Sequence, residues 1–328
     1  MQYNGVPTPG EQIIPNSRNL FKIVVLFALV LCAFIAGHYG VVLTEYYIET
    51  SDYLTFIIKW SWLLFCGTLA SIALQGLGIL GHDAVHKALL KNKWANEIAG
   101  TFVSTFALLP FSSNRQFHLT HHRFSHQKNL DPEQPMHNHT LWFSITVGSL
   151  IGLLIQYQIL IINIFTRLFD KRYFVPILLD VFFLSSAIYF YFILLPLNGI
   201  PVEHSLLPMY LTLPVIFGIR AISDHYGLPA AATKEERAAN GNQNEVSGWV
   251  IITSPLLEWM WSNVNYHEVH HKFPYLSHVY LKPTFMATRE QIPYVVVNGY
   301  LRNLWRHRKR HYYQIELPES DEIPLQSS

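Results

Sequence analysis

Several stretches of this chain are apolar over a length that crosses a lipid bilayer, and this restricts its fold. Residues 23–43 and 60–80 each form such a run, and about 20 apolar residues span the hydrocarbon core as a helix. Half of the 328 residues are hydrophobic and only 14% are charged, against roughly 25% in an average soluble domain. This composition argues against a disordered chain, a coiled coil or most soluble enzymes. The sequence predicts an all-α fold, a multi-pass transmembrane bundle.

The distribution of lysine and arginine predicts the membrane topology of this bundle. Basic residues precede the first run and recur at 167–172, whereas segments 44–53 and 197–205 contain none. Because short cytoplasmic loops carry the excess of basic residues, we expect these two segments outside and both termini in the cytoplasm. The apolar stretch 141–165 then lies along or dips into the cytoplasmic leaflet without crossing. Four spans result, at 23–43, 56–80, 173–195 and 206–222.

The remaining segments add tails and loops to a single membrane domain. We expect an N-terminal cytoplasmic tail at 1–19, one domain at 20–313, a C-terminal tail at 314–328 and a polar cytoplasmic loop at 231–247. The basic segment 301–313 is typical of a patch for anionic headgroups or an acidic partner, and equally of a solvated helix. The net charge of +1 predicts no nucleic-acid partner. The two cysteines lie in apolar runs, which argues against a disulfide scaffold.

Histidine is concentrated in three short clusters. The chain has 17 histidines, and the clusters read HDAVH, HLTHH and HEVHH. Within each cluster the spacing is i, i+4 or i, i+3, i+4, which places the rings on one face of a helix. One such pair is weak evidence of function, but three clusters on one side of a membrane indicate a metal centre. The clustered residues are His82, His86, His118, His121, His122, His267, His270 and His271.

The number of clustered imidazoles limits the kind of metal centre. Imidazole suits zinc, copper, iron and nickel, so the ligand type alone does not select a metal. A catalytic zinc needs three protein ligands and an open position, so eight are too many for one ion. The count fits two metals with about four nitrogens each. Two neighbouring redox-active ions in a nitrogen-rich shell suggest activation of oxygen by iron.

Two other functions account for the histidines less well. HDAVH resembles the HExxH motif of zinc proteases, but Asp83 stands where the protease needs its glutamate base, and the other clusters would have no role. A metal transporter places ionisable residues near the midplane of its spans, whereas these clusters lie at or beyond the predicted span ends. An intramembrane zinc protease and a metal transporter therefore remain minor alternatives.

The three clusters, in this order and after paired apolar spans, resemble the histidine boxes of the membrane fatty acid desaturase and hydroxylase superfamily. The resemblance covers roughly residues 55–290. It implies a non-haem di-iron centre held by the box histidines at the cytosolic face, on a helical cap above the four spans. RAISDHYG resembles the segment that supplies one more ligand, which nominates His225. The resemblance also suggests Asn265 as a ligand or water-bridging residue, and His126 as a ligand or a neighbour of one.

Acidic residues within or beside the boxes are candidates to orient the ligands, since metal-bound imidazoles usually donate their second N–H to a carboxylate or carbonyl. An exposed loop position is the simplest reading of Glu133. The histidines without box spacing are expected to be structural or surface residues. The candidate acids are Asp83, Asp131, Glu133, Asp224 and Glu268, and the unclustered histidines are His38, His137, His139, His204, His278, His307 and His311.

The resemblance implies an O2-dependent oxidoreductase that acts on a long hydrophobic substrate. A fatty acyl desaturase is the first reading, and a carotenoid or alkyl-chain hydroxylase or ketolase is the alternative. The cofactors would be two iron ions, with O2 as co-substrate. No His-Pro-Gly-Gly segment of a fused cytochrome b5 is present, so electrons should come from a separate ferredoxin or cytochrome b5. The acyl carrier, the regiochemistry and the host membrane stay open.

Overall fold

A computed structural model describes residues 5–8, 10–47, 52–127, 129–137, 139–228, 246–309 and 320–321. Most of the predicted loop at 231–247 and of the tail at 314–328, together with His311, lies outside these residues. The described elements are mainly helices, joined by one pair of short parallel strands. In chain order they are α1 (Asn16–Tyr47), α2 (Asp52–Val85), α3 (Lys93–Phe106), α4 (Phe111–Phe124), α5 (Gln134–His137), α6 (Leu141–Arg167), α7 (Lys171–Leu197), α8 (Leu206–His225), β1 (Val250–Ile252), α9 (Pro255–Met260), α10 (His267–Lys272), α11 (Leu281–Thr288), β2 (Val296–Asn298) and α12 (Tyr300–His307).

The predicted all-α membrane fold is confirmed. Five helices of the described chain are long and apolar enough to cross a bilayer: α1, α2, α6, α7 and α8, the last extended by one 3₁₀ turn. Four of them contain the predicted spans, and the fifth is α6, which we expected to lie along the cytoplasmic leaflet. The number of actual crossings stays a prediction.

Aromatic contacts show that α7 runs in the same direction as α3. Phe102 of α3 contacts Phe183 at 6.0 Å between ring centroids, and Phe106 contacts Phe190 at 5.4 Å. Since α3 begins beside the start of α1, where the Lys91 amide donates to Asn16, α7 also begins on that side. The opposite ends meet at His38 of α1, whose Nδ1 lies 3.1 Å from Nδ1 of His204 before α8.

Helix α6 begins close to the end of α8 at a glycine. A Cβ atom on Gly218 of α8 would lie 1.9 Å from the carbonyl oxygen of Ile145, so only glycine admits this approach. Gly218 precedes His225 by two helical turns. The other end of α6 reaches the start of α7 through three residues. Both ends of α6 therefore lie on the same side of the bundle, which favours the predicted placement along the leaflet.

A carboxylate from α7 holds the sharp hairpin between α3 and α4. Asp180 is fully buried, and its two oxygens accept hydrogen bonds from the amides of Phe111 and Ser112 at 2.8 and 3.0 Å. These amides belong to the first turn of α4, where the helix supplies no acceptor of its own. The acid within a predicted span thus has a structural role, and the hairpin directs α4 back towards the ends of α2 and α8.

We expect Asp180→Ala to destabilise the fold. The change leaves two amides without an acceptor at a position that water does not reach, which costs about 1–3 kcal/mol for a buried group. Asp180→Asn keeps one acceptor oxygen and should lose less. Thermal unfolding in detergent measures the difference, and an Asp180→Ala protein as stable as the parent would refute this role for the carboxylate.

Candidate metal centre

Four helices bring the nine histidines predicted as ligands to one place. The end of α2 carries the first box, α4 the second, α10 the third, and α8 ends at His225. The imidazoles form two adjacent groups, which we call site A and site B. In site A, one nitrogen of each of five rings lies within 4.8 Å of the others. In site B, the same is true of three rings, and a fourth ring, that of His267, contacts two of them. Site A comprises His82, His86, His118, His122 and His270; site B comprises His121, His225, His271 and the contacting His267.

The ring nitrogens of site A converge on a common point. Nε2 of His118 lies 3.0 Å from Nε2 of His86 and 2.8 Å from Nε2 of His122. Nε2 of His270 lies 3.0 Å from that of His122. A metal–imidazole bond of about 2.0–2.1 Å places two ligand nitrogens about 3 Å apart at a right angle. The spacing in site A is therefore that of neighbouring ligands on one ion.

Site B has the same spacing between ring nitrogens, and in two of its rings Nδ1 lies beside an oxygen atom of the protein. Nε2 of His267 lies 3.0 Å from Nε2 of both His225 and His271. Nδ1 of His225 lies 2.7 Å from the Ser247 carbonyl oxygen, and Nδ1 of His121 lies 2.9 Å from Asp131. An Nδ1–H donated to these oxygens leaves Nε2 free as a ligand.

The donor set fits metal ions. Nε2 of His121 and both nitrogens of His82 are buried and have no hydrogen-bond partner in the described chain. Burial lowers the pKa of His86 to about 3 and holds the pKa of His270 well below its usual value, so these rings are in the neutral form that metals bind. Burial also lowers the pKa of His121, but the nearby carboxylates outweigh it and raise the pKa to about 9. A metal at site B would displace that proton.

Glu133, one of the candidate acids, is not an exposed loop residue, since only 15% of its side chain is exposed. Its carboxylate lies 3.0 Å from Nε2 of His137, 3.8 Å from Nδ1 of His121 and 4.0 Å from Nε2 of His225. Glu133 immediately precedes α5, and this single turn brings its carboxylate and the His137 ring together beside site B. His137 is fully buried. The prolines on both sides of Glu133 hide this turn from helix periodicity.

The remaining acids stand at different distances from the rings. Asp224 pairs with Arg220 at 2.5 Å and lies 3.6 Å from Nδ1 of His267. Glu268 is not brought to a box imidazole within the described chain: its carboxylate accepts from the amides of Ser247 and Gly248 and pairs with Lys272. Glu268 therefore ties the third box to the segment before β1.

His126 and Asn265, the two further candidates for ligands or neighbours of ligands, both lie beside the centre. Nε2 of His126 is 3.3 Å from Nδ1 of His225, the nitrogen that faces away from the metal position, so His126 is placed behind a ligand. The amide nitrogen of Asn265 donates to the Ile251 carbonyl, while its buried Oδ1 has no partner in the described chain.

His278, which lacks box spacing, belongs to the surroundings of the centre. It is buried, and its Nδ1 lies 2.6 Å from Asp83, whose other oxygen is 3.8 Å from Nδ1 of His82. The partners are 195 residues apart in the chain, so no local signal could pair them. His278→Ala is therefore unsuitable as a control variant that should leave the metal centre unchanged.

We expect Asp131→Ala to weaken metal binding about 10–100-fold, the usual cost of removing a group that orients a metal-bound histidine. The loss of Asp131 frees the His121 ring to rotate. Asp131→Asn, which keeps an acceptor oxygen, should lose less, and Asp170→Ala, in the short turn before α7, serves as control. Competition with a chelator measures the affinity; unchanged affinity in Asp131→Ala would rule out this role.

An apolar cavity adjoins the centre. Its walls come from α2, α4, α6 and α8, and at one end it is lined by His82, His118, His225 and His267. A long hydrophobic molecule in this cavity would have one part of its chain beside the imidazoles.

The sequence of this chain is similar to those of known proteins. A family model described as fatty acid desaturase matches residues 57–299. The sn-1 oleoyl-lipid 12-desaturase of Anabaena variabilis is 33% identical over 82 residues, which are 25% of this chain and 21% of that relative. The enzyme of the same name from Synechocystis is 28% identical over 103 residues, 31% of this chain and 25% of that relative. The matches thus span about a fifth to a quarter of these curated relatives. With the family match extending over most of its length, the chain belongs to the fatty acid desaturase family.

Proposed function

We propose that this protein is an O2-dependent desaturase that introduces a carbon–carbon double bond into a fatty acyl chain of a membrane lipid. The observation that carries the proposal is the convergence of nine imidazoles into sites A and B at the end of an apolar cavity. The names of the relatives, which are lipid desaturases, support the choice of substrate.

The residues present suit two iron ions, one in each site. When bound, the pair would supply the two-electron activation of O2 that removal of two hydrogens from adjacent methylenes requires. The overall reaction consumes one O2, two electrons and two protons, and it releases two waters. Asp131 and Ser247 fix the orientation of two rings, and the apolar walls position the chain and exclude water.

The orientation of the protein in its membrane is part of the proposal. We place both termini and the histidine boxes in the cytoplasm, where a ferredoxin or cytochrome b5 can dock. Labelling of single cysteines from each side of sealed vesicles tests this. A probe in the turn at 168–170 should react from the same side as one at Arg18. Reaction from the side of Glu45 would make α6 a fifth crossing and refute the four-span topology.

Metal analysis tests the di-iron proposal. The purified protein should contain two iron ions per chain, and turnover should require both O2 and a reductant. A preparation that is active with zinc alone and independent of O2 would refute it and favour a hydrolase.

A further inference from the structure

Three carboxamide side chains interrupt the apolar wall of the cavity. Gln75 lies on α2, Asn114 on α4 and Gln156 on α6, and all three line the space that leads to the centre. Gln75 is 4% exposed and Gln156 is 7% exposed. Oε1 of Gln156 has no hydrogen-bond partner in the described chain, and no described residue bonds the side chains of Gln75 or Asn114.

Other polar groups of the same wall are satisfied by the protein. The Ser149 hydroxyl donates to the Pro214 carbonyl at 2.9 Å, and the Tyr210 hydroxyl donates to the Ala107 carbonyl at 3.3 Å. A buried polar group without a partner costs about 1–3 kcal/mol, and this cost applies to the Oε1 atom of Gln156, which is buried and has no partner in the described chain. Gln75 and the half-buried Asn114 line the same apolar cavity. The pattern indicates that whatever fills the cavity supplies their hydrogen bonds.

The carboxamides lie at a defined distance from the metal ligands. Gln75 precedes His82 by seven residues on α2, which is two turns and about 10 Å along the axis. Asn114 precedes His118 by four residues, about 6 Å. Residues separated by one or two whole turns share a helix face. The polar subsite is therefore one to two helical turns from the centre, along the same cavity.

The chemistry of the wall selects a neutral oxygen-bearing group. Carboxamides both donate and accept, as a hydroxyl group requires, and they also donate to a carbonyl. A carboxylate would need a cation, but the one arginine of the cavity wall, Arg220, is paired with Asp224. An unsubstituted hydrocarbon chain would leave all three carboxamides without a partner.

We propose that the substrate carries a hydroxyl or carbonyl group that binds Gln75, Asn114 and Gln156 while a methylene of the same molecule lies at the metal centre. The inference rests on the proposed function and narrows its substrate to oxygen-substituted chains. The carboxamides would then set which carbon is oxidised, because they fix the distance from the oxygen to the reacting methylene.

Binding without turnover tests the subsite. Iron-loaded protein in detergent, kept under argon without reductant, is titrated with n-octadecane, octadecan-1-ol and octadecan-2-one in competition with labelled octadecan-1-ol. The parent protein should bind the alcohol or the ketone about tenfold more tightly than the hydrocarbon, as one or two net hydrogen bonds give. Comparison of the affinities for the alcohol and the ketone shows whether the subsite binds a hydroxyl or a carbonyl group.

Glutamine-to-methionine changes separate the subsite from general packing, because methionine has a similar shape without the amide. Gln75→Met and Gln156→Met should each reduce the preference about three- to tenfold and leave two irons bound. Gln158→Met, an exposed position on α6, is the matched control and should change nothing.

Two results would overturn the inference. If the hydrocarbon binds the parent as tightly as the oxygenated probes, and the methionine variants do not differ, water satisfies the carboxamides and the proposed desaturase function stands without this subsite. If no probe binds an iron-loaded protein, the cavity is not a substrate site, and the proposed function fails with the inference.

Discussion

Replacing His270 with alanine is expected to remove iron from the protein and abolish turnover. Nε2 of His270 lies 3.0 Å from that of His122 in site A, and alanine leaves a gap in the coordination that water fills poorly. Loss of a group that merely orients a ligand costs about 10–100-fold in metal affinity, so loss of the ligand itself should exceed 100-fold. Iron per chain and product formation are the two measurements.

The matched control for this variant is His139→Ala. His139 is exposed and outside both sites, so its replacement should retain both irons and the activity of the parent. Full metallation of His270→Ala would contradict the assignment of site A, and equal iron loss in His139→Ala would show that the assay reports general damage.

The second large effect is expected at His225, the candidate ligand that lies in none of the three boxes. His225→Ala should lose iron and activity as severely as His271→Ala, because both belong to site B. His126→Ala is the informative comparison. Nε2 of His126 lies 3.3 Å from Nδ1 of His225, the nitrogen that faces away from the metal position, so this variant should retain more iron. An active, fully metallated His225→Ala protein would mean that site B closes with another group, for which Asn265 or His126 would be the next candidates.

Much of the site could be predicted because its signals are local. A spacing of three or four residues fixes the helix face on which an imidazole lies, and a run of about 20 apolar residues fixes where a helix can cross the membrane. The position of basic residues then places the boxes on one side. These rules suffice to nominate the eight box histidines of sites A and B without any tertiary information. The ninth, His225, has no box spacing and is nominated only by the resemblance of RAISDHYG to a segment of the family.

The remaining features depend on partners that the fold brings from far along the chain. Asp180 caps a helix that begins 69 residues earlier, and His278 meets Asp83 across 195 residues. Glu133 lies between two prolines just before a single helical turn, and so short a turn has no periodicity to detect. The polar wall of the cavity could not be predicted either, because Gln75 and Gln156 belong to separate apolar helices and line the same cavity only once α2 and α6 have packed.

Mass spectrometry of host lipids after expression of the protein tests directly whether it desaturates a lipid acyl chain. We predict a lipid product two mass units lighter than its precursor, formed only with O2 and absent when the His270→Ala variant is expressed at the same level. A product sixteen mass units heavier would contradict desaturation and identify a hydroxylase, and an unchanged lipid and pigment profile with the iron-loaded parent protein would contradict the proposed function altogether.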